Sequence, residues 1–419
     1  MNQSALTLTI AAGTAAGVVI RPFRLPEAVW AVLGAGLILV LGILNPAEIW
    51  AGVAKGTDVY LFLIGMMLLS ELARREGLFD WVAAIATSRA KGSPKRLFAL
   101  IYAVGVVVTA LLSNDATAVV LTPAVYAACR AAKVNDPLPY LFICAFIANA
   151  ASFILPISNP ANLVIFAGGE MPSLGRWLAT FFVPSIAAIL ITFVALYVTQ
   201  RKALLSETLA ADIPTPALSF PARLAGIGLV ATAFVLVGAS AAHLDLGLPT
   251  FIAATVTTLI ILTVARQNPF GIVRAIDWSV ILLVAGLFVV VEAINQTGMT
   301  ASLASELTAI SAYSEWQAVA ITGIGLAFLS NVANNLPVGL FAGGVVNAAH
   351  LSDGGSSRRR RPRPQSLGHR ITGNHTMVVC SPTRRHHRKR VYVSKGGGGR
   401  DDPGADCFAG CALESWRCR

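Results

Sequence analysis

Three polar clusters interrupt an otherwise apolar chain. The first is ALLSNDATAVVLTPAV, carrying Ser113, Asn114, Asp115, Thr117 and the Thr122-Pro123 pair. The second is ILPISNPANLVIFAGG, with Pro156, Ser158, Asn159, Pro160 and Asn162. The third is LSNVANNLPVGLFAGG, with Ser330, Asn331, Asn334, Asn335 and Pro337. Each combines proline, which removes a backbone donor and breaks a helix, with Asn and Ser, which compete for backbone hydrogen bonds. Backbone groups freed by such a break, together with side-chain amides, can replace the hydration of a small solute. Asp115 is the one carboxylate in the three clusters. As a proton carrier or cation ligand it would be functional; as the cap of a broken helix it would be structural. The asparagines divide evenly between lining a site and capping.

The surrounding composition sets the solvent. The chain has 419 residues, 55% of them hydrophobic and 13% charged, against about 25% charged in soluble domains; its mean hydropathy is +0.69. Runs such as 28–44 and 177–198 are long enough to cross a bilayer, which takes about 20 apolar residues. The sequence therefore predicts an all-α, polytopic integral membrane protein. In a bilayer, broken backbone is tolerated only where protein buries it or water reaches it. The clusters then mark re-entrant or discontinuous helices around a midplane site. The first segment, LTLTIAAGTAAGVVI, lacks a basic leader and a cleavage site and is expected to be a retained helix. No Walker A, GxSxG or HExxH motif occurs, so the expectation is a non-enzymatic protein without a cofactor or an ATPase of its own.

Charge asymmetry predicts orientation. The loop with Arg74, Arg75, Arg89, Lys91, Lys95 and Arg96 is expected inside, as are Arg21 and Arg24, Arg201 and Lys202, and Arg266 and Arg274. The N-terminus then lies outside. The segment 58–78 resembles 278–299: Gly65, Glu71 and Gly77 match Gly286, Glu292 and Gly298 at an offset of 221. Near that offset, Ser113-Asn114-Asp115 falls on Ala333-Asn334-Asn335. The two copies are expected to run in opposite directions, the inverted-topology repeat of secondary transporters. Glu71 and Glu292 also fit a simpler role, as segment-end carboxylates reaching interfacial water.

Together these segments resemble the arsenical pump membrane protein family, the arsenite efflux permeases of the wider ion-transporter superfamily. The likeness spans about 5–350 and rests on SNDATAVVLTP, PISNPANLVIF, SNVANNLPVGL and GTDVYLFLIGMMLLSELARREGLFDW. It implies export of arsenite and antimonite across the bacterial inner membrane, driven by the proton motive force or with a separate arsenite-stimulated ATPase subunit. It also implies two inverted halves, each with a hairpin and a broken helix. The pathway residues would be Ser113, Asn114, Asp115, Thr117, Ser158, Asn159, Asn162, Asn331, Asn334 and Asn335. A sodium–proton antiporter or a small organic-anion transporter of the same superfamily fits the residues as well. The clusters contain no Lys or Arg, which disfavours dicarboxylates.

The predicted transporter domain is 1–351, with a first repeat of about 1–200 and a truncated second repeat of about 222–351. From 352 to 419 the chain changes character. This stretch holds 15 Lys and Arg against 5 Asp and Glu, and so nearly all of the net charge of +11. Its composition predicts disorder. His369, His375, Cys380, His386 and His387 match no standard zinc spacing, so no metal is expected. Basic runs bind anionic lipid or nucleic acid without specificity, and a membrane-anchored interaction protein with a basic tail is the reading in another functional class. Cys129 and Cys144, in the apolar body, are expected to be packing residues. The family's second half should continue past Pro337 into another broken hairpin. Shifted by one base, the tail codons accommodate one, which points to a frameshift near Leu351 and to a defective product if the chain is made as written.

Overall fold

The computed structural model describes residues 2–167, 171–206, 209–210, 217–333 and 335–356. No β-strand occurs among them. The helices fall into two series with one element order. The first comprises α1 (Gln3–Ile20), α2 (Glu27–Val40), α3 (Pro46–Ala54), α4 (Thr57–Arg75), α5 (Leu78–Ala90), α6 (Pro94–Leu111), α7 (Asn114–Ala116) and α8 (Thr122–Ala131). Then come α9 (Leu138–Ala150), α10 (Pro160–Phe166) and α11 (Leu174–Ser206). The second series is α12 (Phe220–Ala241), α13 (Gly247–Ala265), α14 (Pro269–Ala275), α15 (Trp278–Gln296), α16 (Met299–Tyr313), α17 (Glu315–Ala333) and α18 (Asn335–Ser356). Adding 221 to the first residues of α4, α5 and α6 gives the first residues of α15, α16 and α17. The match found in one segment of sequence therefore extends over whole helices. α18 runs on to Ser356, so the first residues of the tail expected to be disordered, 352–356, are helical; the rest of that tail lies outside the described residues.

Local sequence fixes the boundaries. Asn45 opens α3 with a reciprocal cap: its Oδ1 accepts from the Glu48 N–H at 2.9 Å, and its own N–H donates to Glu48 Oε2 at 2.7 Å, with Pro46 at the first helical position. Ser93 and Ser219 cap α6 and α12 through their hydroxyl oxygens, each followed by proline within two residues. Among the described residues six helices are long and apolar enough to cross a membrane, and a seventh span forms if α3 and α4, bent by 49° at Lys55-Gly56, are counted together. Large apolar residues such as Ile191 on α11 and Phe234 on α12 are exposed. In a lipid solvent this outward apolar surface is the expected state.

The two series interlock. α2 lies along α15 and α13 along α4, while the short helices α3 and α14 reach across to α15 and α4. Close backbone approach is possible because the contact positions are small. A Cβ on Gly65 would come within 2.9 Å of Thr250, and one on Gly286, its counterpart, within 2.7 Å of the Ala31 backbone. End contacts give the relative direction. Lys55, just before α4, donates to Glu292 near the end of α15 at 2.6 Å. Arg75, ending α4, donates to the Gly271 carbonyl in α14, the helix that leads into α15. The Tyr60 and Phe288 rings meet edge to face at 6.0 Å. α4 and α15 thus run antiparallel, as the inverted repeat requires. Glu71 is held by both Arg74, at 2.8 Å, and Arg75, at 2.6 Å.

Candidate functional site

The break after α6 is made at Ser113. Its backbone, at φ 150° and ψ 166°, lies in a region that only glycine occupies readily, at a cost of roughly 1–3 kcal/mol for other residues. Its side chain compensates in part by accepting from the Ala116 N–H at 3.3 Å, which starts α7. The next turn, Thr117–Leu121, is widened into a π-turn, a distortion common at functional sites. Thr122 supports it by donating its hydroxyl to the Thr117 carbonyl at 3.3 Å, and Pro123 starts the next regular turn. Thr117 is fully buried, and its hydroxyl pairs with that of Thr109 at 2.8 Å.

The second break follows α9. The chain turns through 151–155 and a single 3₁₀ turn, Pro156–Ser158, into α10. One side chain organises this turn. The Asn162 amide nitrogen donates to the carbonyls of Ser152 at 3.0 Å, Leu155 at 3.3 Å and Pro156 at 3.2 Å. Asn159 caps α10, accepting from the Ala161 N–H at 2.9 Å. Trp177, completely buried, closes the turn from α11 by donating to the Phe153 carbonyl at 3.1 Å while packing on Phe166 and Phe181.

The breaks are joined to one another. Ser158 accepts from the Leu155 N–H at 3.2 Å and donates to the Ala110 carbonyl at 2.9 Å. That carbonyl belongs to the last turn of α6, where the helix ends before Ser113. On its other side α10 packs along α18, and a Cβ on Gly343 would meet the Ile165 carbonyl oxygen head-on. The three clusters are therefore neighbours in space, with α10 in the middle.

Individual residues separate into kinds. Ser113, Thr117 and Ser158 are buried and engaged with the backbone or another hydroxyl, so they shape the breaks. Asn114 is half-buried and Asp115 is exposed. Asn331 is exposed and donates to the Ala327 carbonyl of its own helix at 2.8 Å. Asn335 begins α18, and Asn334 lies outside the described residues. At the offset of 221 that the starts of α4, α5 and α6 share with those of α15, α16 and α17, Asn114 corresponds to Asn335 and Asp115 to Leu336. The carboxylate therefore belongs to one copy alone. Three buried amide atoms of the clusters have no hydrogen-bond partner among the described residues: Asn114 Oδ1, Asn159 Nδ2 and Asn162 Oδ1. Leaving such atoms unpaired costs about 1–3 kcal/mol each, which favours a role beyond packing.

Thr109 carries no signal in sequence because it sits alone in VGVVVTALL; only the break brings it against Thr117. Cys129 and Cys144 are both buried, and neither forms a disulfide. No grouping of His, Cys, Asp and Glu suited to a metal occurs among the described residues.

Comparison with known proteins gives the family. Residues 15–362 match the family model described as citrate transporter. The arsenical pump membrane protein of Escherichia coli K12 is 32% identical over 341 residues, covering 76% of this chain and 78% of the relative. That of Shigella flexneri gives the same values. An uncharacterized transporter of Mycobacterium tuberculosis is 25% identical over 346 residues, covering 80% of this chain and 78% of the relative.

Proposed function

We propose, from this chain's membership of the family matched by the citrate transporter model and represented by the arsenical pump membrane proteins, that this multi-pass membrane transporter exports arsenite and antimonite from the cytoplasm. The observation that carries the reading is the junction of breaks. It offers amide groups without partners, at Asn114, Asn159 and Asn162, and its clusters contain no Lys or Arg. Arsenous acid is a small neutral polyhydroxyl species, and amides can replace its hydration without a counter-charge. Asp115 is the residue assigned to coupling with the proton gradient; a separate arsenite-stimulated ATPase subunit is the other energy source that the family resemblance implies. The transporter resides in the inner membrane with its N-terminus outside. The antiparallel run of α4 and α15, with Arg74 and Arg75 closing α4, supports that orientation.

Everted membrane vesicles holding the protein from the gene with its reading frame restored test the reading directly. Arsenite should accumulate when a proton gradient is imposed and cease to accumulate when it is collapsed. Vesicles that take up citrate and not arsenite would support the organic-anion reading, which the matched family description favours. The absence of Lys and Arg from the clusters argues against it, because a multiply charged anion would lack a cation to offset its desolvation.

A further inference from the structure

The hydrogen bonds of the second break do more than hold a turn, because they fix which way two amides face. Asn159 accepts from the Ala161 N–H through Oδ1, so its oxygen is committed to the helix cap and its NH2 is the group left over. Asn162 is held the opposite way. Its nitrogen is surrounded by the carbonyls of Ser152, Leu155 and Pro156, all acceptors, so the oxygen is the group left over. Both residues are almost wholly buried, at 3% and 0% exposure. Asn159 Nδ2 and Asn162 Oδ1 are buried atoms that find no partner. Neither amide can flip without breaking the bonds that build the turn. The pair thus presents one donor and one acceptor, three residues apart in sequence, with their polarity locked.

We infer that Asn159 and Asn162 are specificity-determining residues that select a neutral hydroxyl-bearing cargo against both fully ionised oxyanions and bare cations. The inference rests on the proposed function and deepens it. A hydroxyl group donates and accepts, so a molecule with two or more hydroxyls satisfies both amides. A fully ionised oxyanion offers acceptors only; it pairs with Asn159 and sets its oxygen against that of Asn162. A bare cation pairs with Asn162 and faces the NH2 of Asn159. A wrong partner leaves one buried polar group unpaired, and sites built this way discriminate strongly against ligands that lack the matching group. Asn114 Oδ1 adds a second acceptor at the same junction, which strengthens the bias against anions.

The variant Asn159→Asp is isosteric, keeps the oxygen that caps α10 and converts the donor into an acceptor. Asn159→Ser keeps a capping oxygen and restores a hydroxyl that can donate. Uptake of arsenite, sulfate, succinate and sodium is measured in everted vesicles holding the protein from the gene with its reading frame restored. Native protein should accumulate arsenite alone. Asn159→Asp should lose at least about tenfold in arsenite uptake at low concentration, equivalent to about 1.4 kcal/mol, through a raised KM at normal protein levels. Asn159→Ser should recover much of it. Native uptake of arsenite with Asn159→Asp unchanged in KM overturns this inference and leaves the proposed function standing. Native uptake of sulfate, succinate or sodium beside arsenite overturns this inference alone; no uptake of arsenite overturns both.

Discussion

Asp115 is the residue whose chemistry bears most on energy coupling. It follows a strained break, is exposed at the start of α7, and has Leu336 in its place in the second copy. A carboxylate present in one copy cannot be explained by the symmetry of the fold. As the proton-coupling group, its change to Asn should reduce gradient-driven arsenite uptake by at least about tenfold, or 1.4 kcal/mol, while Asp115→Glu keeps part of it. Counterflow, which needs no net proton movement, should survive in Asp115→Asn; loss of both activities to the same degree would show a role in cargo binding instead. Thr109 gives a contrasting case. Thr109→Val keeps the shape but removes the closer partner of the Thr117 hydroxyl, at 2.8 Å, and leaves it the longer bond to the Ser113 carbonyl at 3.4 Å. The expected cost is about 0.5–1.5 kcal/mol, seen as a lower melting temperature in detergent, with little change in KM.

At the scale of helices, the interlock of the two series depends on where backbones can touch. Gly65 and Gly286 occupy equivalent positions and make equivalent approaches, to Thr250 and Ala31. Gly286→Val should cost roughly 1–3 kcal/mol through overpacking against backbone that cannot yield. Gly36→Ala, in the same bundle with open space around its Cβ position, should be neutral or stabilising by up to roughly 1 kcal/mol. Thermal unfolding of the two variants in detergent separates close packing from helix propensity; equal effects would refute the packing account. The positions of the breaks were legible in sequence, since proline beside Asn or Ser in an apolar run frees backbone groups that a continuous helix would have satisfied. Their mutual contact was not. Ser158 reaches Ala110 across 48 positions, and nothing in either segment announces its partner. Asn331 shows the converse limit: its composition matches its neighbours, yet its amide serves its own helix because the residue lies on an exposed face. The pairing of Ser113-Asn114-Asp115 with Ala333-Asn334-Asn335 lies one residue off the offset of 221 that the earlier helix starts share, because a repeat of Asn leaves the register open in sequence.

For the whole molecule, the offset of 221 makes a demand on the end of the chain. In the first series α6 is covered by α9 and α11, whereas on α17, its counterpart, Trp316, Ile324 and Phe328 are exposed. The residues equivalent to α9 would begin at 359, where the arginine run of the tail stands, and the family match ends at 362. Four consecutive arginines cannot supply an apolar hairpin, since each charge at the bilayer centre costs at least about 2.5 kcal/mol. Shifted by one base, the same codons can. Met377-Val378 must then read as TGG, tryptophan, and the positions from Arg359 onward admit Gly, Val, Asp and Leu, followed by Gly, Pro, Asn, Leu and Ser. We propose a single-nucleotide frameshift near Leu351, in the gene or in its sequencing. Resequencing should recover one base gained or lost there, and the restored gene should confer arsenite resistance on a sensitive host where the 419-residue chain does not. A verified gene in the present frame, with tail peptides detected by mass spectrometry and full resistance from the product as written, would show that the site works without a second hairpin. The amides of the first repeat, Asn114, Asn159 and Asn162, would then be sufficient for the cargo.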